Sequence, residues 1–110
     1  LDIGQTVVVK HKAAMAIEAI EGTDACILRG GQLGRGDSVV VKTAKPEQDV
    51  RFDVPAVGRK TLQSMIDSGC SVLAVEANRT IFVEQAAVLS LANKHGIVIC
   101  SVTEKLFEPV

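Results

Sequence analysis

The sequence contains no tryptophan and no tyrosine, and its three phenylalanines make up 3% of 110 residues. A core built from this chain is therefore aliphatic, and platforms on which nucleic-acid bases could stack are scarce. There is no basic surplus either: 12 Lys and Arg against 13 Asp and Glu leave a formal net charge of −1. A general nucleic-acid binder usually carries such a surplus, so no nucleic-acid partner is expected. No apolar run approaches the ~18 residues of a membrane span, and no stretch reads as a secretory signal. HExxH, CxxC, paired Cys/His sets and GxSxG are all missing, which leaves neither a zinc site nor a nucleophile elbow. The three cysteines, Cys26, Cys70 and Cys100, cannot all pair within one chain, and each sits among apolar or small residues. They read as buried free thiols in a reducing compartment. His11 and His95 are isolated. The first is expected in a hairpin turn and the second at a helix C-terminus, where it complements the dipole.

What the chain does have is apolar content, 47% of 110 residues, sufficient for one packed domain in a length too short for two. The β-branched run Thr6–Lys10 predicts a buried strand, with 13–20 as its antiparallel partner. Thr23 is the expected N-cap of a short helix carrying Ala25, Cys26, Ile27 and Leu28. Gly30, Gly31 and Gly34 are expected to end it, leaving 30–37 as a glycine-rich turn that matches no phosphate-loop pattern. A second valine-rich strand follows at 38–43, and a short period-2 segment at 50–54. Gly58 opens a helix with Leu62, Met65 and Ile66 on one face, and Gly69 closes it. A strand at 71–77, a turn at Asn78-Arg79 and a strand at 80–83 read as a second hairpin. A helix at 84–95, a last strand at 97–102 and a loose tail complete the chain. The sum is an α/β fold: a single domain with a mixed β-sheet packed by about three helices. TVVVK and SVVVK echo each other at a spacing of 32, AIEA and AVEA at 58, so no common period supports a repeat.

Two stretches concentrate polar chemistry. In the first, Glu21, Gly22, Thr23 and Asp24 place acids and backbone N–H groups at a helix start, an end that favours anions such as phosphate. Ordinary capping explains the same residues. In the second, Lys42, Lys45, Gln48, Asp49, Arg51 and Asp53 crowd within twelve residues. Lys and Arg suit phosphate oxygens, and Asp can hold Mg²⁺ while the metal keeps waters and bridges phosphates. These are the parts of a phosphoryl-transfer or pyrophosphate-hydrolysing site. Asp49, Arg51 and Asp53 share one face of an extended segment, which also fits a solvated strand edge with local ion pairs.

The segments DIGQTVVVK at 2–10, EAIEGTDACILRGG at 18–31, VVKTAKPEQDVRFDVPAVG at 40–58 and VLAVEANRTIFVE at 72–84 resemble the UDP-2,3-diacylglucosamine pyrophosphatase family over its C-terminal domain. The resemblance runs over nearly the whole chain in one order, and IEGTD followed by KPxQDxRFDxPxxG is its specific part. It implies hydrolysis of UDP-2,3-diacylglucosamine to 2,3-diacylglucosamine 1-phosphate and UMP, in lipid A biosynthesis, with Mg²⁺. It also implies an N-terminal domain that this chain lacks, with substrate held between the two. The start at Leu1 without Met, directly before a strand, fits that expectation. The essential acid would be Asp53 or Asp49, Asp53 being favoured, and both are expected to bind Mg²⁺ or orient the attacking water. Lys42, Lys45 and Arg51 would stabilise phosphoryl charge, and Gln48 would offer its amide to sugar or phosphate. Glu21, Gly22, Thr23 and Asp24 would line the opposite wall. A cytoplasmic enzyme touching the inner membrane transiently is the implied setting. The competing readings are a non-catalytic ligand-binding or oligomerisation module, and a different phosphate-handling α/β domain.

Overall fold

The valine triplets at 7–9 and 39–41 lie side by side, because β-branched side chains suit a pleated ladder. Strand β1 (Thr6–Lys10) pairs antiparallel with Ser38–Lys42, placing Val8 opposite Val40. The computed structural model describes residues 6–43, 56–77 and 79–102. Along them run β1, β2 (Ala13–Ile17), α1 (Thr23–Gly34), β3 (Ser38–Lys42), β4 (Ala56–Val57), α2 (Arg59–Ser68), β5 (Cys70–Glu76), β6 (Ile81–Phe82), α3 (Gln85–Lys94) and β7 (Val98–Val102). The main sheet has five strands in the order β2-β1-β3-β5-β7. β1 is antiparallel to β2 and β3, while β3, β5 and β7 are mutually parallel. Four strands therefore point one way and β1 the other, the mixed α/β architecture read from the sequence.

Each move from β2 to β3, β3 to β5 and β5 to β7 steps in one direction across the sheet and passes through a helix. Right-handed crossovers taken in one direction put all three helices on one face, and α1 packs on α2, and α2 on α3. The strands alternate accordingly. Val8, Val40, Leu73 and Val75 point to the helices and are 0 to 3% exposed. There they meet Ile27, Leu62, Met65 and Val88, all fully buried. The face residues predicted for α2 hold: Leu62 and Met65 are buried and Ile66 packs at the core's margin.

Two expectations fail for identifiable reasons. α1 does not end at Gly30; it continues to Gly34, with Arg35 as a left-handed C-cap, so the predicted turn at 30–37 is mostly helix. The glycines are there for proximity. A Cβ on Gly30 would collide with the Val8 side chain, and one on Gly31 would come within 2.5 Å of Ser68 Cβ. α1 thus lies directly on β1 and α2. The second predicted hairpin is also absent. β6 does not pair back onto β5 but lies parallel to β4 in a separate two-stranded sheet, Ala56 opposite Ile81 and Val57 opposite Phe82. Cys26 and Cys70 are buried as expected, but Cys100 is exposed, because its strand is the sheet's edge and its side chain lies away from the helices. His11 sits in the β1–β2 turn with φ 53°, and His95 caps α3, both as read. The segment expected at 50–54, Asn78 and the tail at 103–110 lie outside the described residues.

Candidate functional site

Strands β2, β3, β5 and β7 end at one edge of the sheet, and helices α1, α2 and α3 begin there. In open α/β sheets this carboxyl edge is where ligands bind. Ion pairs stitch the helix starts together. Lys60 at the start of α2 faces Asp24 in the first turn of α1 at 3.7 Å, and Arg59 meets Glu84, the residue before α3, at 2.9 Å. The first turn of α2 holds no acid, and its first two residues are cations. That is the opposite of what the positive end of a helix prefers. Both cations are largely solvent-exposed, and each already faces one carboxylate.

Lys42 closes β3 at the centre of this edge and is only 5% exposed. Its Nζ donates to the Ala56 carbonyl at 3.0 Å, which ties β3 to β4. Burial pushes its pKa below the ordinary value of 10.5, while the charges of Glu18 and Asp24 oppose that shift. Lys42 is thus a cation taken out of bulk water with two carboxylates in electrostatic range.

Beside it, Thr6 pairs with Lys42 across the strands and is fully buried. The Thr6 hydroxyl donates to Thr23 Oγ1 at 3.5 Å, and Thr23 donates to Glu18 Oε1 at 3.1 Å. Thr23 is therefore the first residue of α1, held by Glu18, and not its N-cap. That position falls to Gly22, whose φ of 94° is one that residues with a Cβ rarely adopt. Gly22 also accepts the amide of Cys26 at 3.1 Å. Cys26 donates weakly to the Thr6 carbonyl at 3.7 Å, and burial pushes its thiol up to about 11. A buried, protonated thiol of this kind is packing and not a nucleophile.

Glu21 stands apart from this group. Its carboxylate takes Arg29 at 2.5 and 3.3 Å, which holds its pKa down, and Arg29 also donates to the Ile17 carbonyl. Of the residues expected at the site, Gly22, Thr23, Asp24 and Lys42 share the carboxyl edge, and Glu21 is engaged on the outer side of α1. Lys45, Gln48, Asp49, Arg51 and Asp53 lie outside the described residues. Glu18, the first residue of the polar segment at 18–31, joins the edge through Thr23, while Thr6, Arg59 and Lys60 join it without having been singled out from the sequence. Only the pairing of strands and the meeting of helix starts bring them there, and no local motif marks them. Among the described residues no group of three or more His, Cys, Asp or Glu could hold a metal ion.

Comparison with known proteins bears on the family of the chain. The family model described as the LpxI C-terminal domain matches residues 1–100. The UDP-2,3-diacylglucosamine pyrophosphatase LpxI of Caulobacter vibrioides is 36% identical over 110 positions, covering 93% of this chain. The match takes in 39% of that relative, so the chain spans about two-fifths of the length of the curated protein it matches. With nearly its whole length inside both matches, this chain belongs to the LpxI C-terminal domain family.

Proposed function

We propose that this chain is the C-terminal domain of a UDP-2,3-diacylglucosamine pyrophosphatase and supplies phosphate-binding and catalytic groups to a site completed by an N-terminal domain. The observation that carries the reading is the family match over residues 1–100, together with a relative that bears that activity in its name. The carboxyl edge supports it: a buried cation, exposed Arg59 and Lys60, and three helix starts face where a pyrophosphate would lie. Ile20, two residues before Gly22, is fully exposed, an apolar side chain beside a polar site, as an acylated sugar calls for.

In the reaction water attacks one phosphorus of the pyrophosphate and the bond from that phosphorus to the bridging oxygen breaks. The other phosphate leaves with the bridging oxygen, and the two products are UMP and 2,3-diacylglucosamine 1-phosphate. Lys42 offsets charge growing on the phosphoryl oxygens, an effect strengthened where water is excluded. Arg59 and Lys60 hold the nucleotide's phosphates at the α2 start, and Glu18 fixes Thr23 at the wall. Asp53, with Asp49, orients the attacking water. Mg²⁺ belongs to the reading as a charge-neutralising ion on the same two acids. The described residues do not by themselves form its site, so no step is drawn through it. The setting is the cytoplasmic side of the inner membrane, touched transiently through the lipid substrate. No described helix is long and apolar enough to cross a membrane.

The test is UMP release from UDP-2,3-diacylglucosamine with Mg²⁺ by the full-length parent, beside its Asp53→Ala variant. Turnover by the parent and none by a folded variant is the expected result. A folded parent that releases no UMP would remove the reading and leave an α/β domain with a polar edge, for which the binding-module reading moves ahead.

A further inference from the structure

Residues 18–22 carry the chain from the end of β2 to the start of α1, and one side chain grips both ends of this connection. Arg29 lies in the second turn of α1. Helical side chains lean toward the helix N-terminus, so its guanidinium reaches back over the connection. Nη2 donates to the carbonyl of Ile17, the last residue of β2, at 3.2 Å. Nη2 and Nε also take the Glu21 carboxylate, at 2.5 and 3.3 Å. One planar group thus bridges the exit of β2 and the residue before Gly22, a task suited to the fork of an arginine.

The inner side of the same connection is tied to the candidate site. The Glu18 amide donates to the Thr6 carbonyl at 2.9 Å, and Glu18 Oε1 accepts from the Thr23 hydroxyl at 3.1 Å. The Cys26 amide donates to the Gly22 carbonyl at 3.1 Å, where Gly22 turns the corner with φ 94°. Ile20, between these anchors, is fully exposed, so packing of that side chain does not hold the connection. Glu18 and Thr23 stand beside Thr6 and Lys42, and they move wherever the connection moves. A misplacement of about 1 Å at a reacting site can cost about 10²-fold in rate.

We infer that Arg29 and Glu21 are a positioning pair for the candidate site: the guanidinium clamps the β2–α1 connection from outside and so sets where Glu18 and Thr23 stand against Lys42. Glu21, expected from the sequence to line the wall of the site, acts through Arg29 and does not touch substrate. The inference rests on the proposed pyrophosphatase reading. The side chains of Arg29 and Glu21 are 45% and 29% exposed, and exposed ion pairs add little to global stability. Loss of the pair is therefore read at the site and not in the melting temperature.

The test uses the full-length parent and its Arg29→Gln, Arg29→Lys, Glu21→Ala and Arg29→Gln/Glu21→Ala variants. Each is followed by kcat for UMP release, by melting temperature and by NMR amide exchange of Glu18 and Cys26. Arg29→Gln should lower kcat about ten-fold or more. Its melting temperature should move by no more than about 3 °C. The Glu18 and Cys26 amides should exchange faster while the β1–β3 ladder keeps its protection. Arg29→Lys, which keeps the charge and loses the fork, should fall between. Should Arg29→Gln unfold, Arg29→Lys carries the same comparison. In the double variant Glu21→Ala should cost nothing beyond Arg29→Gln, since the two residues act as one unit. Additive losses would show Glu21 meeting substrate itself and would overturn the inference. So would an unchanged kcat in Arg29→Gln, or a lowered kcat with unchanged exchange. A folded parent without turnover removes the pyrophosphatase reading, and amide exchange then decides the clamp alone: faster exchange in Arg29→Gln upholds it, and unchanged exchange overturns it.

Discussion

Lys42 stands where a lysine is expensive. Its ammonium is nearly buried, one carbonyl accepts from it, and burial has lowered its pKa below 10.5. The unfolded chain therefore binds the proton more tightly than the folded one. Between the lowered folded pKa and 10.5 the unfolded state holds more protons, so stability rises with pH in that window. Below the folded pKa the cost of the buried charge is fully present. Lys42→Met keeps the length of the side chain and removes the charge. The variant should melt no lower than the original at pH 7, and the original should gain on it as pH approaches 10.5. A melting-temperature difference that moves the other way would show that Glu18 and Asp24 outweigh desolvation. In the full-length parent the same variant should lose about 10² or more in UMP release, the usual effect of removing one such charge-stabilising group. At this scale half of the described residues at the candidate edge were legible. Lys42, Thr23 and Asp24 stand in local motifs, whereas Thr6, Arg59 and Lys60 reach the edge only through tertiary pairing that no spacing encodes.

At the scale of elements, local rules held wherever they were not contested. Gly58 and Gly69 bracket α2, and Gly96 follows α3 with φ 68°, as punctuation by glycine predicts. The same rule misread α1, because glycine serves both as a stop and as a thin place in a helix. What decides is the neighbour in space, here Val8 under Gly30 and Ser68 beside Gly31. The missing hairpin has a related cause: residues after β5 continue toward β4, a partner far away in sequence. Gly30→Ala separates the two roles of glycine. As a helix residue, alanine should gain about 1 kcal/mol. Against Val8, the added methyl should cost about 1–3 kcal/mol through forced displacement. The variant is expected to be less stable by urea titration, and Val8→Ala should relieve it, so that the double variant costs less than the two singles added. Strict additivity would mean that the two residues do not touch.

Among the described residues the sheet has one face under the helices and one away from them, and adjacent residues of β3 sample both. Val40 is fully buried under the helices, and Val41 is half-buried on the side away from them. Alternation along the strand was visible in the sequence only as a run of valines, since both faces carry the same residue type. Fully buried parallel strands read the same way, and the difference between the faces emerges only once all three helices are found on one side. An aspartate at the two positions makes the asymmetry measurable. At position 40 the carboxylate would enter an aliphatic core with no partner, a cost of several kcal/mol. Small domains hold about 5–15 kcal/mol in total, so Val40→Asp should abolish or nearly abolish the cooperative urea transition of the 110-residue chain. At position 41 the carboxylate keeps its water, and the loss is the strand propensity and part of one side chain's burial, about 1–2 kcal/mol. Val41→Asp should therefore unfold cooperatively at a lower urea midpoint with an unchanged slope. If both variants fail to fold, position 41 is as enclosed as position 40 and the two faces do not differ in the isolated chain. If both are mild, the helices do not seal the core, and the close approach of α1 to Val8 would have to be wrong as well.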